Sequence, residues 1–211
     1  MTAASTATPL LEAHRLAFHR QDEPVFAPLD FRLHAGKLTL VEGDNGSGKT
    51  TLLRLLAGLL HASEGELRWR GAPWQRDARA SEILFLGHQL GQKHELSPRE
   101  NLAFAVGLHG CRDGVTMDAA LDEVGLHGYG DEPVRRLSAG QKKRAALARL
   151  LLQPATLWLL DEPYANLDRH GITLVNRLLE RHVTGGGAAL VSSHGAVGFH
   201  GGEPQRIRMH A

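Results

Sequence analysis

One cysteine, Cys111, occurs in the 211 residues. A chain with a single thiol closes no internal disulfide, and it offers no thiolate cluster to a structural metal. The 13 histidines are scattered, and none stands in the H-x-x-x-H or H-E-x-x-H spacing that puts two imidazoles on one helix face. No apolar run approaches the length needed to cross a bilayer. The formal charge of +1 creates no field that would select nucleic acid or an acidic membrane. Internal repeats and low-complexity segments are also missing. The opening residues, 1–9, are small and polar and lack the apolar core of a secretory signal. They are expected to form a flexible tail on a soluble or peripheral protein of the cytoplasmic side. A hydrophobic share of 42% is ample for a packed core, so 1–211 is expected to form a single domain with room for a subdomain.

Against these absences one stretch stands out, Gly43-Asp44-Asn45-Gly46-Ser47-Gly48-Lys49-Thr50-Thr51. It fits G-x-x-x-x-G-K-[ST], the phosphate-binding loop of nucleotide hydrolases. Glycines let the backbone curl through dihedrals a Cβ would forbid, and the curl aims successive N–H groups at an anion. Lys49 adds a mobile charge for the β- and γ-phosphates, and Thr50 a hydroxyl for Mg²⁺. The apolar run Leu38–Val41 predicts a buried strand before the loop, and Thr51–Ala57 a helix after it, whose N-terminus also faces the phosphates. A dinucleotide fold would need a glycine where Thr51 stands, which excludes it.

The remaining chain alternates strand and helix signals. Leu10 to Leu33 reads as short strands around polar turns, one of them Asp22-Glu23-Pro24. Ser63-Glu64-Gly65 reads as a turn, and Glu66–Arg70 as an edge strand. Ile83–Gly87 predicts another buried strand. Ser97-Pro98-Arg99-Glu100 carries a helix cap, a first-position proline and a first-turn acid, and Thr116–Val124 is a second short helical stretch. Ser138 opens a long helix through Leu152, which Pro154 ends. Thr156–Leu160 is an apolar strand run into Asp161-Glu162-Pro163. Arg169–His182 is helical, and Ala188–Ser193 is the last strong strand, with His194 at its end. Such alternation indicates a mainly parallel sheet, whose ligands sit beyond the carboxyl ends of the strands. The phosphate loop, Gln89, Asp161-Glu162 and His194 all follow strands and are read as one site. Asp161 is suited to hold Mg²⁺, Glu162 to orient or deprotonate water, Gln89 to sense water and metal, and His194 to bond the γ-phosphate.

Leu137-Ser138-Ala139-Gly140-Gln141 resembles the L-S-G-G-Q signature of ATP-binding-cassette (ABC) proteins. The phosphate loop is similar to their Walker A, Gln89 to their Q-loop, and Asp161-Glu162 to the close of their Walker B. Asn166-Leu167-Asp168 resembles their D-loop and His194 their switch histidine. The resemblance covers most of the chain. It implies an α/β P-loop NTPase cassette, with a mainly parallel core sheet, an antiparallel β edge and a helical subdomain at about 90–153. It further implies an ATPase using ATP and Mg²⁺, with Glu162, His194 and Gln89 catalytic and Thr50, Gln89 and Asp161 at the metal. Two copies would pair head to tail, so that Ser138, Ala139, Gly140, Gln141 and Asp168 reach the ATP held by residues 43–51 of the other copy. Two departures stand out. Ala139 replaces a glycine, and Arg20, flanked by Phe18 and His19, falls where the family often stacks adenine on an aromatic.

Gly87-His88-Gln89, Glu95–Leu102 and Ala155–Pro163 most resemble the ATP-binding subunits of the bacterial cytochrome c maturation system, the haem exporter. That resemblance implies integral membrane ABC subunits as partners, a peripheral place on the cytoplasmic face of the inner membrane, and hydrolysis linked to release of a haem-loaded periplasmic chaperone. No direct haem binding is expected, because His109 and Cys111 lack a C-x-x-C-H context. Nor is nucleic acid expected as a partner, because Lys142-Lys143-Arg144 reads as the solvated face of a helix. The alternatives are a cassette for a lipid, peptide or amino acid, and a nucleotide-binding structural subunit with little turnover. Ala139 and the missing aromatic point to the latter, while Lys49, Asp161, Glu162 and His194 argue against it.

Overall fold

A computed structural model describes residues 8–75, 81–193, 199 and 202–209. Two sheets organise them. The first has the order β2-β1-β4-β5 and is antiparallel throughout. Its strands are β1 (Leu11–Arg20), β2 (Glu23–Leu33), β4 (Glu64–Trp69) and β5 (Ala72–Pro73). The second runs β6-β7-β8-β3-β9, with every neighbouring pair parallel. It is built from β3 (Leu38–Glu42), β6 (Ile83–Leu86), β7 (Leu157–Asp161), β8 (Ala188–Ser192) and β9 (Gln205–Arg208). The expected parallel core with an antiparallel edge is what forms.

Several local expectations give way to tertiary structure. The region 10–33 makes two long strands rather than several short ones, with register shifts that mark bulges. The turn lies at Gln21-Asp22, whose φ angles of 52° and 67° suit the two-residue turn that follows strand twist. Glu23 and Pro24, read as turn residues, pair with Arg20 and His19 instead. Proline is tolerated there because β2 is an edge strand. Glu64 and Gly65 are likewise strand rather than turn. A Cβ on Gly65 would lie 2.3 Å from the Arg15 carbonyl, so the glycine serves close backbone approach beside a bulge. The stretch 66–70 is not an edge, since β1 covers one side of β4 and the two-residue β5 the other. The strand signals in the sequence end at Ala188–Ser193, so β9 is an addition. Its alternation buries Ile207, with Met209 just beyond, between the exposed Arg206 and Arg208.

Five helices complete the fold: α1 (Lys49–Leu56), α2 (Pro98–His109), α3 (Met117–Glu123), α4 (Ala139–Leu152) and α5 (Arg169–Thr184). Their starts follow from capping chemistry. Ser97 and Ser138 each close a capping box, with Glu100 and Gln141 as the reciprocal partners. Thr116 and Asp168 accept from the backbone N–H three residues on. Because side chains alternate along a strand, β7 and β8 feed two cores. Trp158, Leu160, Ala189 and Val191 pack with α2–α5. Leu157, Leu159, Ala188 and Leu190 pack with α1 and the antiparallel sheet. The parallel register aligns Val41, Asp161 and Ser192 at one level, so the carboxyl ends of β3, β7 and β8 open onto a common edge.

Candidate nucleotide site

The phosphate loop leaves β3 and enters α1 at that edge. Gly43, Gly46 and Gly48 have φ of 156°, 87° and 91°, which L side chains rarely adopt. A Cβ on Gly48 would stand 2.8 Å from Phe26, whereas Gly46 has nothing within 4 Å and marks the open mouth of the curl. The Lys49 ammonium, only 6% of the residue being exposed, donates to the carbonyls of Gly43 at 2.7 Å and Asp44 at 2.8 Å. No carboxylate pairs with it among the described residues, and one of its three donors remains for a ligand. The buried Ser47 hydroxyl has no hydrogen-bond partner among the described residues. A cationic head, an orphaned hydroxyl and a curl of glycines form a cradle that fits a polyphosphate.

Next to it lies a carboxylate cluster. Asp161, 2% exposed at the end of β7, accepts from Thr50 Oγ1 at 2.8 Å and from Ser192 Oγ at 2.7 Å. The first residue of helix α1 after the loop lysine is thereby tied to the strand end that carries the acid. Each such charge-assisted bond stabilises by about 1.5–3 kcal/mol. Thr50 and Asp161 present oxygen donors side by side, the set a hard divalent cation prefers. Glu162 follows with φ of 48°, a left-handed conformation for a residue with a side chain. Its N–H donates to Ser192 Oγ at 3.0 Å, and its carbonyl accepts from Lys143 Nζ at 3.0 Å. Neither Ser192 nor Lys143 was singled out from sequence. The run Lys142-Lys143-Arg144 reads as a solvated face, yet Lys143 is 4% exposed. Burial pulls its pKa down, an effect opposed by the nearby Asp161 and Glu162 carboxylates.

The other candidates lie around this centre. Gln89 is exposed, three residues beyond β6, whose neighbour in the sheet is β7. Ser138 and Ala139 are exposed at the start of α4, and the Gln141 side chain accepts from the Ser138 N–H at 2.9 Å. Gly140 faces the carbonyl of Asn166 across a gap in which a Cβ would sit at 3.4 Å. Asp168 caps α5 through Gly171 and pairs with Arg144 at 2.8 Å. The Gly171 N–H, then Arg144, hold its carboxyl below the usual range. The structure therefore joins Thr50, Asp161, Ser192 and the Glu162 backbone in one hydrogen-bonded group, with Lys49 beside Thr50 braced on the loop carbonyls, and sets the 138–141 and 166–168 segments beside each other. His194 lies outside the described residues.

A family model described as "ABC transporter" matches residues 26–165. The chain is 58% identical over 204 residues to the cytochrome c biogenesis ATP-binding export protein CcmA of Xanthomonas oryzae pv. oryzae (strain MAFF 311018), across 97% of this chain and 94% of that protein. It belongs to the CcmA family of ABC transporter ATP-binding subunits. The CcmA of Methylococcus capsulatus (strain ATCC 33009 / NCIMB 11132 / Bath) is 51% identical over 185 residues, covering 86% of this chain and 89% of that one. Among solved structures, a putative ABC transporter ATP-binding protein from Pyrococcus furiosus superposes with a TM-score of 0.80 at 25% identity, over 95% of this chain and 97% of that chain.

As an ABC cassette the chain is an ATPase that binds ATP. Its two departures from the wider family are both at the surface. The Ala139 methyl is exposed on the first turn of α4, where it crowds no atom of its own chain's interior. Arg20 is exposed beside the Gln21-Asp22 turn and pairs through its backbone with Glu23, while Phe18 packs inward on the second core.

Proposed function

We propose that the chain is the ATP-hydrolysing subunit of a membrane export complex that serves cytochrome c maturation, handles haem, and couples hydrolysis to release of a haem-loaded periplasmic chaperone. The identity to CcmA proteins across nearly the whole chain supports the subfamily. The Thr50–Asp161 bond carries the chemistry, because it sets a hydroxyl and a carboxylate against the phosphate cradle. Residues 43–51 bind the triphosphate, with Lys49 as cation and Thr50, Asp161 and Gln89 toward Mg²⁺. Held by these residues, Mg²⁺ would supply positive charge to the phosphate oxygens. Glu162 takes the proton of a water whose oxygen attacks the γ-phosphorus, while the bond from that phosphorus to the β–γ bridging oxygen breaks and ADP leaves. His194 bonds the γ-phosphate. Two copies close head to tail, Ser138, Ala139, Gly140, Gln141 and Asp168 of one facing the nucleotide of the other.

The membrane subunits dock on segment 89–102 and the helical subdomain of about 90–153, from the cytoplasmic side. A pocket of about 180 Å³ there is lined by Leu90, Lys93, Phe104, Leu108 and Arg149. Phe104 is 53% and Leu108 65% exposed on α2, and the Arg149 side chain makes no hydrogen bond or ion pair among the described residues. The test is Glu162→Gln in the complex purified from membranes. Turnover should nearly vanish while ATP binding persists, and light scattering should show an ATP-dependent dimer of the isolated variant. Wild-type turnover removes Glu162 from the reaction. A mass indifferent to ATP removes the shared-nucleotide dimer.

A further inference from the structure

We infer that Lys143 is a positioning residue for ATP hydrolysis, holding the Glu162 peptide in the left-handed turn that aims its carboxylate. The inference rests on the reading of Glu162 as the proton acceptor. A non-glycine residue at φ of 48° is held there only when its surroundings over-determine it. Here both flanking peptide groups are gripped. On the amino side, the Glu162 N–H donates to Ser192 Oγ at 3.0 Å, and Ser192 in turn donates to Asp161 Oδ1 at 2.7 Å. On the carboxyl side, the Glu162 carbonyl accepts from the ammonium of Lys143 at 3.0 Å and from the Ala165 N–H at 3.2 Å.

A lysine is an expensive way to fill a buried position, since an ammonium taken from water needs partners and an apolar side chain of similar length does not. Lys143 has no ion pair among the described residues, and the single hydrogen bond of its side chain is the one to Glu162. The Asp161 and Glu162 charges favour its ammonium. The position also matters. Lys143 sits five residues beyond Ser138, the cap of the same helix α4. One rigid helix therefore carries both the signature end and the donor that fixes the chain's own Glu162. A bland tie between α4 and β7 would use the same contact, and only kinetics separates the two.

The test is Lys143→Met in the complex purified from membranes, with Lys143→Arg as the donor-retaining variant. Misplacing a reacting group by a fraction of an ångström to 1 Å costs up to about 10²-fold in rate. Lys143→Met should lower kcat by about 10- to 100-fold, with KM and the nucleotide affinity of the isolated chain changed less than about twofold. Lys143→Arg should recover most of the turnover. Added to Glu162→Gln, Lys143→Met should bring no further loss, because a residue that acts only through Glu162 has nothing left to position. Wild-type kcat in Lys143→Met overturns the inference. So does a parallel loss of nucleotide binding, failure of Lys143→Arg to recover turnover, or an additive loss in the double variant. Full activity of Glu162→Gln alone would instead sink the assignment of the proton acceptor, so the two failures are told apart.

Discussion

The imidazole of His182 lies flat on the indole of Trp158, with ring centroids 3.8 Å apart and planes 3° apart. Its Nε2 donates to the Ala188 carbonyl at 3.1 Å, which requires a proton on that nitrogen and fits the neutral ring. Burial, followed by the charge of Arg112, outweighs the bonds to backbone carbonyls and pushes the pKa down to about 4 from 6.5. In that interval the unfolded chain takes a proton that the folded chain refuses. The stabilisation is therefore complete above pH 6.5 and is lost as pH falls toward 4. It amounts to roughly 3 kcal/mol over the whole interval. His182→Phe keeps a ring on Trp158 and removes the titration. Denaturant melts from pH 7 down to pH 4.5 should show a shallower loss of stability in the variant than in the parent, and parallel curves would contradict the assignment.

The same stack explains a glycine. A Cβ on Gly187 would meet His182 Cε1 at 2.3 Å and the two ring nitrogens within 2.6 Å. The ring is pinned by Trp158 on its face and by Ala188 at its edge, so it has nowhere to swing. Gly187→Ala should destabilise by about 1–3 kcal/mol, the usual range for overpacking. Gly186→Ala is the control, with no atom near its Cβ but a φ of 88°, and its smaller loss is of backbone origin. Equal melting temperatures for Gly187→Ala and the parent would show that the ring yields.

What the sequence disclosed and what it hid divide along physical lines. The phosphate loop was legible because an anion cradle demands glycine, lysine and threonine at fixed spacing. The starts of α2 and α4 were legible because Ser97 and Ser138 cap locally. Buried strands β7 and β8 show as continuous apolar runs. Features set by distant partners were not legible. Pro24 signals a turn in isolation, but the edge position of β2 lets it pair. Strand β9 hides behind arginines because only alternate residues face the core. Lys143 sits within a basic run, yet it is buried and bonds the Glu162 carbonyl just past β7. No local pattern announces that contact.

Lys49→Ala should weaken ATP binding itself. The ammonium already leans on the Gly43 and Asp44 carbonyls, so its removal takes away both the cation and a brace of the loop. Charge-assisted bonds of this kind contribute about 1.5–3 kcal/mol, which corresponds to roughly 10- to 100-fold in Kd. Titration of the isolated variant with a fluorescent ATP analogue reads this directly. Unchanged affinity would exclude Lys49 from the phosphate site.

The partner surface yields the last prediction. Lys93 lies with its Nζ 4.5 Å from the centroid of the Phe104 ring, and its backbone N–H donates to Asn101. Glu95 pairs with Arg135 at 3.2 Å with both side chains largely exposed. Exposed pairs like this contribute little to stability, so reversing the charges leaves the fold intact. What changes is the field around the pocket of Leu90, Phe104, Leu108 and Arg149, where rim charges set the register of an incoming partner. In Lys93→Glu with Glu95→Lys, the membrane subunits should be lost from pull-downs and cytochrome c maturation should fail. ATP binding by the isolated chain should stay within about twofold, because the phosphate loop lies on another element. Phe104→Ser with Leu108→Ser tests the apolar half. Both side chains are more than half exposed, so their removal should cost less than about 0.5 kcal/mol of stability while weakening capture as strongly as the charge reversal does. Normal capture and normal maturation in both double variants would place the docking surface elsewhere. Loss of capture in the serine pair alone would assign the surface to apolar contact, with Lys93 and Glu95 as bystanders.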